Sequence, residues 1–202
     1  MTVTIVAKGS LRVSSAHAWW RASVLLVVFS LVACGQPALI GADLGARPSP
    51  EFALADQTGQ TVRLADLRGK AVALTFLYSS CPDTCPLLTA KLRQVHAALG
   101  ADAARVALVA VSVDPERDTV EQVARYTAAL GMEGRWHFLT GGRDQLGPVW
   151  ATYGISVMPG PGGMIGHTDA LFVIDRQGRQ RVLMRSDFAP ADLTANLRAL
   201  LG

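Results

Sequence analysis

The run Ala71 to Tyr78 is almost continuously apolar and leads straight into Ser79-Ser80-Cys81-Pro82-Asp83-Thr84-Cys85-Pro86. Eight such residues read as a strand buried on both faces. Pro86 suits a first helical turn, and Leu88, Leu92, Val95 and Leu99 then form a helical stripe that Gly100 ends. Two sulfurs are thus carried on a strand-to-helix turn at a helix N-terminus. The dipole and unpaired N–H groups there favour thiolate, the form that attacks disulfides and binds soft metals. In a helical first turn, residues four apart share a face, so Cys81 and Cys85 can point the same way. They can close a disulfide if the turn bends, or chelate one ion.

Two sulfurs are too few for a closed zinc site, which leaves a histidine as the expected third ligand. His17 lies in the leader. His96 sits beside the apolar stripe of its helix, and His137 lies between Trp136 and Phe138, so both read as structural. His167 follows the glycine-rich loop Met158 to Gly166 and directly precedes a strand. It is the histidine best placed to reach over a sheet edge.

Residues 1 to 33 carry Lys8, Arg12 and Arg21 and no acid, which leaves 16 basic against 16 acidic residues downstream. No basic patch suggests nucleic acid. The apolar run Ala22 to Ala33 is twelve residues long, short for a span and suited to a signal h-region. It ends Leu31-Val32-Ala33-Cys34-Gly35, similar to a bacterial lipobox in which Cys34 becomes the acylated first residue. The alternative is an uncleaved anchor. Either puts the rest of the chain outside the cytoplasmic membrane, where disulfides are permitted. With Cys34 lipidated, Cys81 and Cys85 have only each other.

Residues 34 to 50 read as a proline-bearing tether without apolar periodicity, and residues 51 to 202 as one domain. Phe52 to Leu64 reads as a hairpin. Val106 to Val113 is a second buried strand, Thr119 to Leu130 a helix, Trp136 to Leu139 a short strand and Asp144 to Tyr153 a helix. A second hairpin follows over Leu171 to Ile174 and Arg181 to Met184. Pro190 opens a final helix to Leu201. That order predicts an α/β fold, a thioredoxin-like mixed sheet flanked by helices with an N-terminal hairpin extension.

The chain resembles the Sco/SenC family over roughly residues 50 to 200. The carrying motifs are Cys81-Pro82-Asp83-Thr84-Cys85-Pro86, Ser112-Val113-Asp114-Pro115-Glu116-Arg117-Asp118-Thr119, and His167-Thr168 before a strand ending Ile174-Asp175. The resemblance implies copper, Cu(I) or Cu(II), bound by Cys81, Cys85 and His167. It also implies a role in building the dinuclear copper centre of cytochrome c oxidase, as metallochaperone, thiol reductant or both. A periplasmic copper donor or thiol reductant would be a further partner. Asp114 matches the signature aspartate and is expected to support the site or to initiate a helix. Family members commonly carry an acid before the histidine, where this chain has Gly166. The runner-up is a metal-independent extracytoplasmic thiol–disulfide oxidoreductase with Cys81 and Cys85 as its redox pair. A peroxiredoxin-like peroxidase and a disulfide that merely staples the turn are weaker readings.

Overall fold

The computed structural model describes residues 1–2 and 38–202. His17, Cys34 and nearly all of the leader lie outside the described residues. Four helices are α1 (Thr84–Leu99), α2 (Val120–Ala129), α3 (Arg143–Tyr153) and α4 (Pro190–Ala199). A six-stranded sheet takes β1 (Ala42–Pro48), β4 (Ala71–Leu77), β5 (Val106–Ser112), β6 (His137–Leu139), β9 (Leu171–Ile174) and β10 (Arg179–Met184) in the order β1-β10-β9-β4-β5-β6. Separate hairpins are β2 (Ala53–Ala55) with β3 (Thr61–Arg63), and β7 (Val157–Pro159) with β8 (Ile165–His167).

β4, β5 and β6 run parallel, while β9 is antiparallel to β4. This is the expected thioredoxin-like mixed sheet. Every residue of β4 and β5 is buried, as two-faced burial of central strands requires. Burying Leu74 or Phe76 contributes about 1.5–3 kcal/mol each, and the Phe76 ring meets Phe172 edge-on at 6.5 Å. The one hydroxyl in β4, on Thr75, donates to Ala170 O at 2.9 Å and so enters the core satisfied.

Register brings the three sequence motifs to one end of this sheet. Leu77 stands beside Ser112 where β4 and β5 finish, so residues 78–85 and 113–118 leave the sheet side by side. β9 runs the other way, with Leu171 opposite Thr75, so the chain from His167 enters at the same end. Ligand sites of open α/β sheets form outside the carboxyl ends of parallel strands for this reason.

The structure corrects two expectations. Residues 42–48 of the supposed tether form β1, paired antiparallel with β10 through Ala42–Leu183 and Pro48–Arg179. Five of its seven side chains are exposed, so the strand is held by backbone pairing and leaves little apolar pattern. The loop over Met158 to Gly166 is mostly the β7–β8 hairpin, with the turn Pro161–Gly163 at its tip. Among the described residues, no helix is long and apolar enough to cross a membrane.

Candidate metal centre

β4 delivers Tyr78 and the turn after it to the start of α1. Cys81 and Cys85 are both free thiols and both buried. The Cys85 N–H donates to Cys81 Sγ at 3.4 Å, and the Thr84 hydroxyl lies 3.6 Å from the same sulfur. Burial alone would push the Cys81 thiol up. Hydrogen bonds from the Cys85 thiol, the Asp83 and Cys85 N–H groups and Thr84 outweigh it and hold Cys81 below its usual range. Cys85 goes strongly the other way, through burial first and then through donating its proton to Cys81. The expected lowering by the helix N-terminus therefore holds for one sulfur and is reversed for its partner. The pair is one thiol tuned toward ionisation beside one tuned against it.

A buried carboxylate that the sequence reading did not single out holds this turn. Asp118, 1% exposed, accepts the Ser79 N–H at 3.1 Å, the Ser79 hydroxyl at 2.5 Å and the Ser112 hydroxyl at 2.6 Å. Burial, followed at a distance by the neighbouring Asp114 charge, raises its carboxyl above the ordinary value even against these donors. Its position within the second motif was a signal, but nothing in a sequence distinguishes a buried acid from a solvated one. Asp114 is also buried. It pairs with Arg117, accepts the Ser80 hydroxyl at 3.4 Å, and is reached by no sulfur or imidazole hydrogen bond. It does not initiate α2. Thr119 caps that helix, its Oγ1 accepting the Gln122 N–H at 3.2 Å.

His167 closes β8. Its Nδ1 lies 3.0 Å from Thr168 O, a carbonyl that only accepts, so Nδ1 carries the proton and Nε2 presents the lone pair. Its ring meets Tyr78 edge-on, with centroids 6.3 Å apart at 83°. Tyr78 is itself fixed by the Ile165 N–H, which donates to its hydroxyl at 3.2 Å. His167 and Cys85 line one cavity of about 240 Å³ together with Phe76, Thr84, Leu88 and Asp169. Among the described residues, no three His, Cys, Asp or Glu side chains stand close enough together to hold a metal ion. The fold thus brings the third candidate ligand to the cysteine cavity without closing it onto the sulfurs. The donor chemistry fits a soft ion: two sulfurs that bind a metal as thiolates, and one imidazole whose other nitrogen is already fixed.

His96 and His137 are elsewhere, lining a different cavity with Lys70 and Arg135. His137 Nδ1 is 2.9 Å from Asp56, whose carboxylate also takes the Thr58 N–H and hydroxyl. Burial, then Arg135, lowers the His96 imidazole. Their structural reading agrees with these surroundings.

A mixed thioredoxin-like sheet with two free cysteines on the turn after its central parallel strand, and a histidine lining the cavity of one of them, defines the class: a thioredoxin-like domain with a paired-sulfur site. The SCO1/SenC family model matches residues 42–202, and the chain belongs to that family. The bovine mitochondrial SCO2 homolog is 34% identical over 135 residues, covering 63% of this chain and 50% of that protein. The chain therefore spans about half the length of the mammalian relatives it matches. Bradyrhizobium japonicum ScoI, solved with copper bound, is 30% identical with a TM-score of 0.68, covering 76% of this chain and 99% of that one. Apo Sco1 from Thermus thermophilus is 31% identical with a TM-score of 0.67, covering 80% and 95%.

Proposed function

We propose that this protein binds copper through Cys81, Cys85 and His167 and serves the assembly of the dinuclear copper centre of cytochrome c oxidase, from the extracytoplasmic face of the cell membrane. Membership of the SCO1/SenC family supports the reading, as does a copper-bound relative of the same fold. The observation that carries it is local: two free, oppositely tuned cysteines share a helix N-terminus, and a histidine whose Nδ1 is held by a carbonyl lines the cavity of the second sulfur. Two thiolates and an imidazole suit Cu(I) in trigonal geometry, while Cu(II) would want a fourth ligand. Asp118 fixes the backbone of the cysteine turn, and Asp114 with Arg117 backs it through Ser80. Acylation of Cys34, or an uncleaved leader, would supply the membrane tether.

Copper content and affinity of the purified protein test this reading. At the cysteine centre wild type should hold one tightly bound copper, Cys81→Ser with Cys85→Ser none, and His167→Ala a weakened share. Binding as tight as wild type in the double cysteine variant would sink it.

The asymmetry of the two sulfurs favours one second reading, reduction of the target's cysteines. Cys81 thiolate attacks a target disulfide and forms a mixed disulfide, releasing one target thiolate. Cys85, losing its proton to that thiolate, then attacks Cys81 Sγ, frees the second target thiolate and leaves the Cys81–Cys85 disulfide. Here His167→Ala should still support oxidase assembly in cells, whereas either cysteine variant should not.

A further inference from the structure

Beyond Met1, the chain has four methionines. Met132 and Met184 are in the core, at 0% and 6% exposure, as a large apolar side chain ordinarily is. Met158 and Met164 stand out at 60% and 48% exposure, and both belong to the hairpin that carries His167.

The register decides where they point. Val157 pairs with His167, Met158 with Gly166 and Pro159 with Ile165. The Gly160 N–H donates to Met164 O at 2.7 Å, which carries the ladder on to Gly160 opposite Met164. Side chains alternate along each strand, so positions 158, 160, 164 and 166 share one face and 157, 159, 165 and 167 the other. Val157, Ile165 and His167 are half-buried and Met158 and Gly166 exposed, in keeping with this; Pro159, next to the turn, is exposed as well. Met158 and Met164 are therefore diagonal cross-strand neighbours, about 7–8 Å apart at the backbone. The residue opposite each is glycine, so neither thioether has a cross-strand side chain directly beside it. A Cβ at Gly160 would come 3.6 Å from the Met164 Cβ. Unbranched thioethers with three rotatable bonds can close such a gap around one ion.

We infer that Met158 and Met164 form a second metal site, a two-thioether site for Cu(I) on the outer face of the hairpin, separate from the Cys81–Cys85–His167 centre. Thioethers select Cu(I), and residues 157 to 167 contain no acid that would attract a hard divalent ion. Asp114 and Glu116 line the cavity beside Met164, but each is already paired, with Arg117 and with Arg143, so neither offers a bare carboxylate to a hard divalent ion. Two neutral sulfurs hold copper more weakly than thiolates do, so the site suits uptake ahead of the main centre. In that passage the Sδ–Cu bonds break as Sγ–Cu and N–Cu bonds form, copper stays Cu(I), and the Cys85 proton goes to solvent. This role rests on the copper reading above; the existence of the site does not.

The test uses the full chain with Cys81→Ser, Cys85→Ser and His167→Ala, titrated with Cu(I) as its acetonitrile complex and separately with Ag(I) and Zn(II). Methionine methyl resonances are followed by NMR. The Met158 and Met164 methyls should shift together and saturate at one Cu(I) or Ag(I), Met132 and Met184 should stay in place, and Zn(II) should move none. Adding Met158→Leu and Met164→Leu should abolish that binding. If the triple variant does not fold, the second equivalent of Cu(I) given to reduced wild type reads the same two methyls. Unmoved methyls, or an equal response to Zn(II), would overturn the site and leave the two methionines as apolar surface beside exposed Leu87. Loss of copper binding at the cysteines, by contrast, is read from wild type alone and bears only on the function proposed above.

Discussion

The Tyr78 hydroxyl accepts the backbone N–H of Ile165 at 3.2 Å, so the residue that leads into the cysteine turn also anchors the strand that carries His167. The same phenol faces Cys81. Burial, and beyond it the charge on Cys81, pushes its proton affinity up despite the Ile165 N–H. Tyr78→Phe keeps the ring against His167 and removes only the hydroxyl. The loss should be about 0.5–1.5 kcal/mol of stability, concentrated in the hairpin. Hydrogen exchange should accelerate at the Ile165 amide while the β4 and β5 amides keep their protection. Uniform acceleration would mean that Tyr78 merely supports the core.

Asp118 gathers three donors from two segments at a buried position. Asp118→Ala leaves the Ser79 N–H and two hydroxyls without their acceptor and should cost about 1–3 kcal/mol in urea unfolding. Asp118→Asn retains one acceptor oxygen and should cost less. Because the folded-state carboxyl is raised, the folded protein holds this proton more tightly than the unfolded chain. The advantage of wild type over Asn should therefore be largest in acid and shrink as pH rises from the ordinary value of 3.8 through the raised folded value.

Asp56 should show the opposite slope. Burial would raise it, but hydrogen bonds from Thr58, His137 and Gln60 outweigh that and depress it. Its stabilisation is present above the unfolded value of 3.8 and is lost as pH falls through the depressed folded value. Asp56→Asn should lower the melting temperature at neutral pH and converge with wild type in acid. A constant gap between the two curves would rule out the linkage.

The two thiols should label in sequence. Hydrogen bonds hold the Cys81 thiol below the ordinary value of 9.0, and burial pushes Cys85 far above it. Brief iodoacetamide treatment at pH 8, read by peptide mass mapping, should modify Cys81 first and leave Cys85 largely unreacted. In Cys81→Ser the Cys85 thiol loses the acceptor of its proton, so its labelling should begin at lower pH than in wild type.

The strands β4 and β5, helix α1 and the sulfur pair were legible because two-faced burial and helical spacing write themselves into apolar pattern. The likeness of three separated motifs to one family pointed to a common site, and the register of β4, β5 and β9 brings those motifs to one end of the sheet. β1 was invisible because its partner is the backbone of β10, and backbone pairing selects no side chain. The β7–β8 hairpin was hidden by its glycines and prolines, which read as loop. The opposite tuning of Cys81 and Cys85 depends on which sulfur donates to the other, a matter of depth and angle rather than spacing. Asp118 lay in plain view within a motif, but its burial is a property of the packed chain.

β1 is the outermost strand beside β10, and it is an irregular one. Its pairing slips between Asp43 and Arg47, Ala46 sits at φ 58°, and Pro48 ends it without an N–H to offer. A kinked rim with a missing donor is a poor template for a neighbouring molecule's strand. The six residues of β10 behind it would be a better one. A chain trimmed to begin at Glu51 should therefore scatter light at concentrations where the longer chain stays clear. That outcome would give the irregular edge strand a second task, keeping one copy from zipping onto the next.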